Sequence, residues 1–249
     1  MTQRTRYDSP TIVAISALAF IAACVAHEAI GHAGMCIATG AHITLLSSVY
    51  FHCSNGRALT DAAGPAMNLI VGGGCWLCLK SGSTLSPYRR VFLVLAMALN
   101  LLWGSGYFVY SAVTDTGDLA FALRDLALQP KPLWLFLMGA VGVCLYAGSV
   151  RLVAGELPAG VPLLTAYLAA GVVSCTAASL FNGTVLPALR EAALESVGAS
   201  FGLLLLARRR YREDVTTTTD AIATRSIRWI VAAAVTTPAF FLTLGRGMP

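Results

Sequence analysis

Apolar runs alternate with short polar stretches along the whole chain. The runs centre near residues 10–38, 62–79, 91–112, 133–154, 160–180, 186–206 and 227–245. A membrane-crossing helix needs about 20 largely apolar residues, and six or seven of these runs qualify. A membrane barrel would show short segments of alternating polarity instead, and these runs are too long and continuous for that. The pattern predicts an all-α, polytopic helical membrane protein. It reads as a single membrane domain over residues 1–249, in which residues 11–128 hold nearly all of the suggestive chemistry and residues 132–249 add further transmembrane helices. The polar segment "ARRRYREDVTTTTDAIATRS", residues 207–226, reads as a loop before a terminal helix.

Composition agrees with the pattern. The chain is 57% hydrophobic and 12% charged, with a mean hydropathy of +0.71, too apolar for an ordinary soluble domain. Charge gives an orientation. With the N-terminus inside, Arg4, Arg6, Lys80, Arg89, Arg90, Arg151, Arg208, Arg209, Arg210, Arg212, Arg225 and Arg228 fall on the cytoplasmic side, leaving Arg57, Arg124, Lys131 and Arg246 opposite. The net charge of +5 therefore marks positive-inside loops next to a lipid bilayer, and no nucleic-acid partner is expected because no aromatic residues interleave the basic ones. The expected location is the cytoplasmic membrane of a bacterium, with the N-terminus cytoplasmic. The first 26 residues look like a signal peptide, but cleavage there would leave the histidine cluster described next on a frayed terminus. Seven scattered cysteines do not form a disulfide framework; Cys36 and Cys53 could pair if both face an oxidising side. Cys75 and Cys78 in "CWLC" read as small packing residues.

The stretch "CVAHEAIGHAGMC", residues 24–36, interrupts an apolar run with two histidines and an acid. All four histidines of the chain, His27, His32, His42 and His52, lie within 26 residues. Ionisable groups in a spanning segment are costly and persist where they pair, line a wet cavity or bind something. Neutral imidazoles beside a carboxylate suit zinc; a polar cluster bonding between helices without a metal is the plainer alternative. His27 and His32 are five residues apart, which on a regular helix separates them by about 140 degrees. One ion can join them only if the helix is overwound or bulged between residues 27 and 32, for example by a π-bulge eased by Gly31.

Residues 60–73, "TDAAGPAMNLIVGG", open the next span with Gly64, Pro65 and Asn68. "HEAIGH" followed by "AAGPAMN" in a polytopic chain resembles the site-2 protease family of intramembrane zinc metalloproteases, whose core carries HExxH and an AGPxxN-type stretch. The resemblance covers about residues 11–118. It implies that His27 and His32 bind Zn2+, that Glu28 is the general base, and that the substrate is a membrane protein or a peptide segment in or beside the membrane. The extra residue in "HEAIGH" departs from the family, although soluble dipeptidyl peptidases hold zinc with a six-residue HELLGH. The family's third ligand is an aspartate in a string this chain lacks. Asp118, in "TDTGD", is the first candidate and Asp115 the alternative; a turn with a helix N-cap is the bland reading of both. Asp61 is a remoter candidate that more plausibly caps its own helix.

In the N-in arrangement the first helix ends, the second begins and the third ends on one side, so these groups can converge near the non-cytoplasmic face. Asn68 and Asn100 are candidates to steady a substrate backbone or developing oxyanion, with helix–helix hydrogen bonding the more ordinary role. Residues 41–53, rich in β-branched and aromatic side chains, form either an edge for an extended substrate or a simple ordered loop, with His42 and His52 as interface residues. Arg190, Glu191 and Glu195 fall on the same side as the site, lining its cavity or meeting interfacial water. Four histidines are too few for a di-iron enzyme. The competing function is a catalytically silent polytopic membrane protein or transporter that keeps the protease-like fold. Oligomeric state is not encoded in any of these patterns.

Overall fold

Asp8 starts the first helix by accepting from the Thr11 N–H at 3.0 Å and the Thr11 hydroxyl at 2.7 Å, and Pro10 occupies the first turn, where its missing N–H costs nothing. The computed structural model describes residues 4–82, 85–214, 220–222 and 224–249; the side chains of Arg4, Arg6, Glu195, Arg210 and Arg212 lie outside the described residues. Helix α1 (Ser9–Cys24) runs through a π-helical segment, Val25–Ala33, into α2 (Gly34–Ala38), making one continuous apolar rod, Ser9–Ala38. A short antiparallel hairpin follows, β2 (Ile43–Leu46) with β3 (Phe51–Cys53). Helices α3 (Ala58–Lys80), α4 (Pro87–Thr114), α5 (Asp118–Asp125), α6 (Lys131–Glu156) and α7 (Leu163–Ser179) come next. Then come α8 (Val185–Ala192), a π segment Ala193–Gly198, and α9 (Phe201–Asp214). The last helix, α10 (Ile227–Phe240), ends in a π turn, Phe241–Gly245. Strands β1 (Arg4–Arg6) and β4 (Asp220–Ile222) pair in parallel.

The fold is all-α apart from these two small strand pairs. Helix α1 lies at its centre, with α4, α7 and α10 packed around it, while α3 and α6 pack on α4. Phe20, Ile12 and Ile15 of α1 and Leu95, Met97 and Leu102 of α4 are fully enclosed. Among the described residues five helices are long and apolar enough to cross a membrane, and Leu163–Ser179 is a shorter apolar one. The most apolar windows of the outer helices α6 and α10 are only 11% buried, against 78% for α4, so residues such as Phe136 and Val235 stand exposed.

Three expectations change here. The run at 186–206 is not one helix, because a turn at residues 199–200 separates the π segment from α9. The segment 207–226 is helical as far as Asp214, since Ala, Arg and Glu favour helix over loop. Pro65 lies inside α3, which begins at Ala58, so it does not open that helix.

At the helix ends remote from the hairpin, buried Glu156 is held by Lys80 and by Arg90 at 3.2 Å, tying α6 to α3 and α4. At the hairpin end, a Cys36–Cys53 disulfide fastens β3 to α2. It links cysteines separated by 17 residues; closing such a loop removes chain entropy from the unfolded state worth about 3 kcal/mol. Replacing both by serine is expected to lower the thermal midpoint in detergent, and reductant should lower the wild-type midpoint and leave that of the variant unchanged.

Candidate metal centre

The π-helical turn brings together what a regular helix would separate. His27 and His32 present their Nε2 atoms to each other at 3.2 Å, and the expected bulge between them is the underwound segment Val25–Ala33. Gly31 contributes by allowing backbone contact with α3: a Cβ added there would sit 2.7 Å from the Ala63 carbonyl oxygen and 2.8 Å from Gly64 Cα. Gly64 in turn faces the two imidazoles. A Cβ on Gly64 would lie 2.7 Å from His27 Nε2 and would collide with His32 Nε2 as well. Gly64→Ala is therefore expected to displace both rings and weaken metal binding by about 10- to 100-fold or more, the range seen when groups supporting a ligand are removed, as measured by competition with a chromophoric chelator.

The third group arrives through a chain reversal. Helix α4 stops at Thr114 because Asp115 takes a left-handed conformation, φ 54° and ψ 30°, and Gly117 follows at φ 80°. This turn starts α5 at Asp118 and carries its carboxylate back over the imidazoles, Oδ2 lying 3.1 Å from His27 Nε2 and 3.3 Å from His32 Nε2. Asp115, the alternative, is not at the site. Its carboxylate pairs with Lys131 and its carbonyl accepts from Arg124 at 2.6 Å, because the left-handed residue points outward. Asp118 is no helix cap either; Gly117 holds the N-cap position.

Hydrogen bonds behind the rings fix which nitrogens face forward. Asn100 Nδ2 donates to the Ala96 carbonyl at 2.8 Å, Asn68 Nδ2 donates to Asn100 Oδ1 at 3.0 Å, and His27 Nδ1 meets Asn68 Oδ1 at 2.6 Å. A carbonyl oxygen can only accept, so the chain has one direction: His27 Nδ1 carries the proton and donates, leaving the Nε2 lone pair exposed. His32 Nδ1 likewise donates to the Thr60 carbonyl at 2.7 Å. The idea that Asn68 and Asn100 steady a substrate does not fit this geometry. Both are fully buried, and their amides are engaged with His27, Ala23, Ala96 and each other. Asn68→Ala should cost about 10- to 100-fold in metal affinity by freeing the His27 ring, while Asn68→Asp, which keeps an acceptor, should retain most of it; the same chelator competition measures both.

Aromatic faces complete the clamp. Trp103 and Tyr107 stack on His27 at ring distances of 5.2 and 5.1 Å, and Phe51 from the hairpin stacks on His32 at 5.4 Å. None of these residues was singled out in the sequence. Asn100, Trp103 and Tyr107 fall at i, i+3 and i+7 on α4, a periodicity that marks one helix face.

In their neutral form the two imidazoles and the Asp118 carboxylate therefore bring three lone-pair donors within 3.3 Å of one another, an arrangement that repels itself unless a cation lies among them. The group His27, His32 and Asp118 can hold a metal ion. Glu28 stands beside it, 3% exposed, with Oε2 buried and without a hydrogen-bond partner. All four line one cavity of about 640 Å³ that is also walled by Phe51, Tyr107, Tyr110 and the exposed His52. His42 is exposed and its backbone N–H donates to Ser54; neither His42 nor His52 belongs to the metal group. Asp61 does not cap α3, whose N-cap is Arg57; it lines the cavity instead.

No family model, curated protein or solved structure matches the chain.

Proposed function

We propose that the protein is an intramembrane zinc metalloprotease of the site-2 kind, cleaving peptide bonds in membrane-embedded or membrane-adjacent protein segments. The observation that carries this reading is the triangle of His27 Nε2, His32 Nε2 and Asp118 Oδ2, with sides of 3.2, 3.1 and 3.3 Å, and beside it the Glu28 carboxylate, whose Oε2 has no hydrogen-bond partner among the described residues. Donor atoms held at about 2.0–2.1 Å around one tetrahedral zinc lie roughly 3.3–3.4 Å apart, so three such donors leave a fourth position open. Bound there, zinc supplies Lewis acidity, acidifying water and polarising a carbonyl. Glu28 takes the water proton on Oε2 and returns it to the departing amine. Asn68 and the Thr60 carbonyl keep the His27 and His32 lone pairs aimed inward, and the ring stacks of Trp103, Tyr107 and Phe51 keep bulk water from their faces.

The membrane setting rests on the apolar surfaces of α6 and α10, which a soluble chain would not leave uncovered. We read six or seven membrane-associated segments, the five long helices together with Leu163–Ser179 and the broken 185–214 region. Lys80, Arg89, Arg90, Arg151, Arg225 and Arg228 gather at the end away from the site, which by the positive-inside rule is cytoplasmic. A disulfide at the site end fits an oxidising, non-cytoplasmic side.

The test is hydrolysis of fluorogenic and membrane-anchored peptides by the purified protein in lipid nanodiscs. Zinc-dependent cleavage that disappears with a chelator and returns with Zn2+ is the expected result. Zinc bound without any cleavage identifies the silent relative instead.

A further inference from the structure

Two charged groups on the wall of the site cavity take no part in holding the metal or moving a proton. We propose that they read the charge of the substrate segment entering the cavity, Arg190 taking a carboxylate and Asp61 a cation. This rests on the proteolytic reading and adds the substrate chemistry to it.

Arg190 stands on α8 and Asp61 on α3, so the two approach the cavity from different elements. Arg190 is the one lysine or arginine lining the cavity among the described residues. Its side chain is exposed and makes no hydrogen bond or ion pair among them, whereas Lys80, Arg90, Lys131 and Arg225 are each held by an acid. Its neighbour in sequence, Glu191, accepts from the Tyr110 hydroxyl at 3.0 Å instead. Asp61 is half-buried, and its carboxylate likewise has no hydrogen-bond or ion-pair partner among the described residues.

The other ionisable groups described on the wall are carboxylates, imidazoles and the phenols of Tyr50, Tyr107 and Tyr110. Among the described residues of the wall, Arg190 therefore offers the one guanidinium or ammonium to a substrate anion, and Asp61 offers an unpaired carboxylate to a substrate cation. Asp61 is half-buried, so its charge acts more strongly than on an open surface, whereas the exposed Arg190 is screened by water until a substrate covers it. A charge-assisted hydrogen bond there corresponds to about 10- to 100-fold in affinity. The carboxylate has two possible sources, an acidic side chain or the free C-terminus of a peptide.

Short fluorescent peptides carrying a single Asp, Ala or Lys, each with a free or an amidated C-terminus, test this on the full-length protein in nanodiscs. Anisotropy reads binding to zinc-loaded Glu28→Gln protein, and turnover reads cleavage by the wild type. Expected, relative to the amidated Ala peptide, is a preference of about 10-fold or more for the anionic peptides, its loss in Arg190→Gln, and a preference for Lys peptides alone in Arg190→Glu. Asp61→Asn should weaken Lys peptides alone. If amidation removes the preference, the C-terminus is the anion; if it does not, the side chain is. Indifference of the wild type to charge, or an Arg190→Glu effect equal for all peptides, overturns the proposal. Charge-dependent binding without turnover leaves it standing and overturns the proteolytic reading.

Discussion

Glu28→Gln protein is expected to bind its metal like the wild type and to lose peptide hydrolysis by about 10²- to 10⁴-fold, the range for removal of a general acid–base group. Glutamine keeps the size and the hydrogen-bonding oxygen but cannot accept the proton of water. The carboxylate it replaces is buried, its Oε2 without a hydrogen-bond partner among the described residues, and an unsatisfied buried polar group is expensive. Stability should therefore rise or stay level in Glu28→Gln while activity falls. A thermal melt beside a zinc-dependent cleavage assay reads both, and activity retained at more than about a tenth of wild type would remove Glu28 from the chemistry.

Asp118→Asn is expected to release the metal. The substitution removes the anion and leaves two imidazole lone pairs 3.2 Å apart with no charge to balance a divalent cation. Asp115→Asn is the paired control, because that carboxylate is occupied by Lys131. Metal content should drop from near one equivalent to near zero in the first variant and stay unchanged in the second. The reverse outcome would assign the third ligand to Asp115 and imply that the turn at residues 115–117 opens differently from the geometry described.

Much of this was legible in the sequence, for physical reasons. Apolar runs of spanning length force helices, so the rods α1, α3, α4, α6 and α10 follow from composition. Five-residue spacing of the histidines in "HEAIGH" forces a π distortion if both rings are to meet, and the π segment Val25–Ala33 is where it has to be. The choice between Asp115 and Asp118 was less readable. It depends on a left-handed residue and a glycine reversing the chain within three positions, and sequence spacing does not say which side chain then turns inward. For Asn68 and Asn100 the helix–helix hydrogen bonding expected as the ordinary role is what the structure shows, but the partner was not readable. An amide in a spanning helix signals a buried partner, but only the order of the hydrogen bonds ending on the Ala96 carbonyl shows that the partner is His27. The aromatic clamp was invisible because Phe51, Trp103 and Tyr107 come from two elements whose meeting with α1 no local pattern records.

The most direct measurement is metal analysis of the purified wild-type protein combined with X-ray absorption at the zinc edge. One equivalent of zinc with two nitrogen neighbours and one carboxylate oxygen near 2.0–2.1 Å, reduced to background in His27→Ala, is the expected result. A folded protein that binds no divalent metal under zinc-replete conditions, or binds it with sulfur neighbours, contradicts it.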